Sequence, residues 1–166
     1  HADAVVLGEA DRLWPDLVQD FAHGRMKSRY HDPEPVDLAQ ITLPRRDLLD
    51  PKGYVIFNSV QTTRGCPFNC NFCSVTTMSG VKYRFRPVEK VIEEVKALDN
   101  RFIYFVDDNI IGVPRRAKEL FKAFAPLKLG WASQVTINFA RDQELMRLAR
   151  ESGCYGVFIG FETFSN

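Results

Sequence analysis

Nowhere in the 166 residues is there an apolar run near the roughly 20 residues that a membrane-crossing helix needs. The longest uncharged apolar stretches, 54–60 and 156–161, fall far short of that. Net charge is also almost missing: 22 Lys and Arg against 21 Asp and Glu leave +1. No long-range field therefore favours nucleic acid or an anionic membrane surface, and neither partner is expected. The opening residues do not read as a secretory leader with a basic start and an apolar middle but as the strand-like run 4–7. Cysteine is scarce, with four in all and three of them within eight residues, too few and too clustered for a secreted disulfide framework. A reducing compartment, the cytoplasm, is expected. What remains is ordinary globular composition, 45% hydrophobic and 26% charged, enough to bury a real core.

The first segment reads as one strand, Ala4 to Leu7, and one helix, with Trp14, Leu17, Val18 and Phe21 at i, i+3, i+4 and i+7 and Gly24 as its stop. One strand and one helix cannot make a core, so this piece must lean on something else. Between Arg25 and Gly53 the periodicity collapses around Pro33, Pro35, Pro44 and Pro51, which predicts an extended linker.

Strands and helices then alternate. Strands are expected over 54–60, 102–106, 131–137 and 155–161. The intervening helices start at Pro87 (Val88, Val91, Ile92, Val95 and Leu98 inward), at Pro114 (Ala117, Leu120, Phe121 and Phe124 inward) and after the cap Asp142 (Leu145, Leu148 and Ala149 inward). Such alternation implies a parallel sheet with right-handed crossovers. A (β/α)8 barrel takes about 250 residues, so the expected fold is α/β, a partial parallel (βα) barrel of about four strands. The start at His1 and the stop at Asn166, five residues after the last strand, read as the ends of a piece of a larger protein.

The most informative segment is Thr63-Arg64-Gly65-Cys66-Pro67-Phe68-Asn69-Cys70-Asn71-Phe72-Cys73, which follows the first strand of the repeating part. Three thiolates in a C-x3-C-x2-C spacing can converge on one soft metal centre. A tetrahedral zinc site needs a fourth ligand, and Cys154, His1, His23 and His31 lack the paired spacing such sites use. Three cysteine ligands on an iron–sulfur cluster leave one iron open. The alternative is a zinc-stabilised interaction module with structural cysteines.

This motif after the first strand of a βα repeat, with Phe72 before its last cysteine, resembles the radical S-adenosylmethionine (radical SAM) superfamily. The resemblance implies that Cys66, Cys70 and Cys73 hold a 4Fe-4S cluster whose open iron chelates SAM, and that Phe72 lies against the adenine. It implies reductive cleavage of SAM to a 5′-deoxyadenosyl radical, fed by a low-potential donor such as flavodoxin or ferredoxin, on a substrate the sequence does not reveal.

Polar groups at strand ends extend the candidate site, because parallel barrels collect chemistry there. Asp107, Asp108 and Asn109 stand where the family carries a Gly-Gly-Glu type motif that grips the SAM amino group, or else they form an Asx turn or helix cap. Gln134, with Thr136 and Asn138, is expected to line a wet barrel interior, where these groups hold a ligand or satisfy one another around water. Glu162 matches a fourth-strand carboxylate that bonds the SAM ribose, or is an exposed loop glutamate. Arg64, Arg84 and Arg86 read as solvated loop arginines, and Cys154 as a small core residue.

The strand and helix at the start, followed by a proline-rich linker and Thr-Arg-Gly-Cys-Pro-Phe, are similar to the branch that carries a cobalamin-binding α/β domain ahead of the barrel. Residues 1–24 would be the end of that domain, 25–53 the linker and 54–166 the first part of the barrel. The cobalamin motif Asp-x-His-x-x-Gly is absent, so cobalamin is expected in the full-length protein only, in a methyltransferase or cyclase, and this piece alone is expected to be inactive.

Overall fold

The structure, a computed structural model, describes residues 2–80, 82–99 and 102–162. Its centre is a four-stranded parallel sheet of β3 (Ser59–Val60), β6 (Phe102–Phe105), β7 (Gly130–Val135) and β8 (Cys154–Ile159), in the order β3-β6-β7-β8. Between successive strands run α3 (Val88–Lys96), α4 (Pro114–Phe124) and α5 (Gln143–Glu151). The apolar stripes expected of the three helices are the faces that bury: Val91, Val95, Ala117, Leu120, Phe121, Phe124, Leu145, Leu148 and Ala149 join Val60, Ile103, Phe105, Trp131 and Val135 of the sheet in one core. Asp142 caps α5 by accepting the Leu145 amide at 2.9 Å. Cys154 packs at the rim of this core. Aromatic contacts lock it: Phe105 stacks on Phe124 at 4.8 Å and Phe121 meets Trp131 at 4.9 Å, each such pair adding about 0.5–1.5 kcal/mol beyond its buried area.

Strand alternation sends Phe102, Tyr104, Val106, Gln134 and Phe158 to the opposite face, where Phe102 and Phe158 stay exposed. Ser133 points the other way and is buried, its hydroxyl donating to the Phe105 carbonyl at 2.8 Å.

Four expected boundaries are corrected. The apolar run 54–60 pairs with β6 only at its end, through the Tyr104 amide on the Asn58 carbonyl at 2.9 Å, and Tyr54, Val55 and Ile56 lie exposed ahead of it. Strand β7 ends at Val135 because a 3₁₀ turn over Ile137–Arg141 follows, so Thr136 and Asn138 leave the row that Gln134 belongs to. Strand β8 ends at Ile159 rather than at Phe161. The stretch read as an extended linker contains β2 (Arg29–His31), which pairs in parallel with β1 (Val5–Leu7) across α1 (Leu13–Ala22). Tyr30 makes that strand worthwhile: it alone is buried there, and its hydroxyl donates to Asp20 at 3.0 Å. Of the apolar stripe of α1, Leu17 is half-buried while Trp14, Val18 and Phe21 are exposed. No helix among the described residues is long and apolar enough to cross a membrane.

Candidate metal and cofactor site

The parallel pairing of β3 with β6 sets the carboxyl ends of both strands side by side, and the site is built there. The Val106 amide bonds the Val60 carbonyl at 3.0 Å, so the chain leaving β3 passes directly over Asp107. One Asp107 oxygen, Oδ1, accepts the Thr62 amide at 2.9 Å, the Thr63 hydroxyl at 2.6 Å and the Thr63 amide. This carboxylate is fully buried, and burial pushes it up to about 6 against the pull of its three donors.

The anchored residues start a short antiparallel neck, β4 (Thr63–Arg64) against β5 (Arg84–Phe85), which the sequence pattern did not reveal. The cysteine loop hangs from this neck. Gly65 opens it with φ 84°, a left-handed conformation, and a Cβ there would stand 2.9 Å from the Lys82 carbonyl. Cys66 and Cys73 are half-buried and Cys70 is exposed, and all three are free thiols. The Cys73 amide turns back to the Cys70 carbonyl at 3.1 Å, after which α2 (Val75–Ser79) returns the chain to the neck.

A shelf made of 109–112 supports the loop. Its Asn109 carbonyl accepts the Tyr83 hydroxyl at 2.6 Å and the Gly112 amide at 3.0 Å, while the Ile110 amide bonds the Gln134 carbonyl at 3.1 Å. Gly112 touches the cysteine loop so closely that a Cβ would lie 2.9 Å from Pro67 Cδ and 2.9 Å from the Tyr83 ring. Gly112→Ala is therefore expected to destabilise at the lower end of the about 1–3 kcal/mol typical of overpacking, since Pro67 sits on a loop that can shift. Urea unfolding checks this, with faster thiol labelling of Cys66 as the accompanying sign.

Burial pushes the Cys66 thiol up, and the nearby Asp108 charge adds to the rise, against the Phe68 amide, which favours the thiolate. Asp108 is exposed at the surface, and partial desolvation raises its carboxyl as well. Asn109 is 1% exposed, and among the described residues neither of its side-chain polar atoms has a hydrogen-bond partner; nor does Asp107 Oδ2. Buried polar groups are normally satisfied, so unpaired groups beside a free thiol are what a ligand site leaves open.

The fold thus brings Cys66, Asp107, Asp108 and Asn109 together, with Gln134 on the next strand. Phe72 is 67% exposed on the loop, and Glu162 is exposed beyond β8. Thr62, Thr63 and Tyr83 stand beside the candidate site, through bonds to Asp107 and Asn109 that the sequence reading missed. Arg64, Arg84 and Arg86 are not solvated: Arg86 is 5% exposed and pairs with Glu94, and the other two pair with Glu9 and Asp11.

The donor set fits an iron–sulfur cluster with one open iron: three free soft thiols on one anchored loop beside an unsatisfied buried carboxamide. Among the described residues no three His, Cys, Asp or Glu side chains already stand close enough to hold a single metal ion.

Comparison with known proteins decides the family. The profile of the Radical SAM superfamily matches residues 60–166, the part that starts at β3 and includes the cysteine loop. The chain belongs to the radical SAM superfamily. It is 32% identical over 175 residues to bacteriochlorophyllide d C-12(1)-methyltransferase of Chlorobaculum tepidum, covering 99% of this chain and 38% of that protein. It is 28% identical over 168 residues to hopanoid C-2 methylase of Rhodopseudomonas palustris, covering 95% of this chain and 32% of that one. The radical SAM methyltransferase TsrM of Kitasatospora setae, solved with tryptophan and a SAM analogue, shares the fold at TM-score 0.72 and 18% identity, over 96% of this chain and 37% of that one. The chain thus spans under two fifths of the length of each.

Proposed function

We propose that this chain supplies the cluster loop and the first four strands of the barrel of a radical SAM enzyme, and that Cys66, Cys70 and Cys73 are the cluster ligands. The observation that carries this reading is the loop itself: three free thiols held by a neck at the carboxyl end of the first sheet strand, within the stretch that matches the superfamily. A cluster held by these three cysteines would supply the low-potential electron for reductive cleavage of SAM.

The chain's own residues hold and orient. Asp107 fixes the start of the loop through Oδ1, and its unpaired Oδ2, Asp108 and the unsatisfied Asn109 are the groups at the β6 end open to SAM. Gln134 offers a further polar contact from the open sheet face, Glu162 one from beyond β8, and Phe72 an aromatic surface for the adenine. Coordination requires the loop to draw in the exposed Cys70.

The parent enzyme transfers methyl groups with cobalamin, supported by the methyltransferase relatives and by TsrM, a structure of which holds cobalamin and a [4Fe-4S] cluster. Residues 1–24 then belong to the end of the cobalamin domain, 25–53 to the linker and 54–166 to the barrel, with β2 extending the first unit to His31. A flavodoxin or ferredoxin in a reducing cytoplasm provides the electron.

Anaerobic reconstitution with iron and sulfide tests the reading. The chain is expected to take up about four irons with a charge-transfer absorption that responds to SAM, and each of Cys66→Ala, Cys70→Ala and Cys73→Ala is expected to lose them. A chain that takes up no iron but retains one zinc is instead the interaction module.

A further inference from the structure

Arg64 and Arg84 face each other directly across the neck, as register partners on β4 and β5. Like charges at opposed positions destabilise a strand pair, and an isolated two-stranded ribbon is marginal even without that penalty. A neck of two residue pairs with this sequence does not close unaided.

Two acids from the first segment supply what it lacks. Glu9, just after β1, grips Arg84 with both oxygens, Oε2 meeting Nη1 at 3.1 Å and Oε1 meeting Nη2. Its Oε2 also accepts the Val36 amide at 2.8 Å and lies 3.4 Å from Arg64. Asp11 takes the Arg64 guanidinium bidentately at 2.8 and 3.0 Å. Arg84 donates further to the Val36 carbonyl at 2.8 Å. The four side chains cancel in charge, and Arg84, Glu9 and Arg64 are 11%, 14% and 18% exposed, so water screens them poorly.

We propose that Glu9 and Asp11 are positioning residues for the cysteine loop: by neutralising the facing arginines, the docked β1–α1–β2 unit closes the neck from which Cys66, Cys70 and Cys73 hang. The importance of that closure for catalysis rests on the cluster reading above; the closure itself does not.

The test uses the metal-free chain, followed by amide hydrogen exchange and by thiol labelling with Ellman's reagent. Glu9→Ala is expected to raise exchange at the β4 and β5 amides and the labelling of Cys66 on the order of tenfold, while the core amides of β6 and β7 keep their protection. Glu9→Gln, which keeps the shape and loses the charge, gives a smaller rise and covers the case in which the alanine variant folds poorly. Two readouts separate charge neutralisation from mere packing. Removing the opposed charge, Glu9→Ala with Arg84→Thr, restores neck protection relative to Glu9→Ala alone, and added salt partly restores it in the single variant. Unchanged neck exchange in both Glu9 variants overturns the proposal, as does a double variant no better protected than Glu9→Ala. A neck that opens as expected in a chain whose wild type binds no iron upholds the positioning role and removes the cluster reading instead.

Discussion

Asp107→Ala is expected to lower stability by about 2–4 kcal/mol at neutral pH, because it strands two buried backbone amides, those of Thr62 and Thr63, each worth about 1–3 kcal/mol when unpaired. The partial offset is the charge it removes. Burial raises the Asp107 carboxyl from 3.8 to about 6, so the folded chain holds that proton more tightly than the unfolded one. Folding is then favoured below the unfolded value, and stability falls as pH rises from 3.8 to about 6, by about 3 kcal/mol in total. Asp107→Asn keeps an oxygen for the two amides without the charge, so its melting temperature is expected to stay flat across that window. Thermal melts from pH 4 to 7 on both variants decide the matter; an alanine variant that matches the wild type at every pH shows that the carboxylate does not hold the loop. Glu9 has the opposite sign. Burial raises its carboxyl, but hydrogen bonds from Arg84 and Val36 and the charges of Arg84 and Arg64 outweigh that and leave it below 4.5. The clamp is therefore fully present above that pH and is lost as acid takes the carboxylate through its lowered value.

Glu94→Ala is expected to cost more, about 3–5 kcal/mol, the usual result of removing one partner from a buried ion pair. Glu94 is 3% exposed and holds two guanidinium groups, Arg46 and Arg86, each at 2.5 Å. Without it two like charges stay buried side by side. Arg46 also bonds the Ser59 carbonyl at 2.5 Å, and Arg86 bonds the Gln61 carbonyl at 2.8 Å while its amide bonds Thr62 at 2.9 Å. One carboxylate thus ties α3 to both flanks of β3. Urea midpoints provide the measurement, and the control is the triple change Arg46→Met, Glu94→Met, Arg86→Met. Replacing all three charges is expected to stay within about 1 kcal/mol of the wild type, since no desolvated ion remains. A single alanine variant as stable as the triple one shows the triad to be unimportant.

Legibility in the sequence followed the range of the interaction. Helices α3, α4 and α5 were readable because each apolar stripe repeats within one segment, and every residue assigned inward in α4 and α5 is buried. The cysteine loop was readable because its chemistry lies within eight residues. The apolar run 54–60 misled, since strand pairing depends on where the neighbouring strand begins, and β6 reaches only to Asn58. Asp107 stood out as a costly group after an apolar strand, yet its partners Thr62 and Thr63 lie 45 and 44 residues away. Arg64 and Arg84 read as solvated because their partners Asp11 and Glu9 lie 53 and 75 residues away, and no local pattern announces such pairs.

That separation also sets a timetable. Contacts within α3, α4 and α5 form between near neighbours, whereas the clamp that closes the neck must join Glu9 to Arg84, residues 75 apart, and repays its loop-closure entropy only when both sides are in place. Closure of the neck around the half-buried Cys66 and Cys73 is then expected late in folding, and until it closes these thiols are open to iron and to oxidants alike.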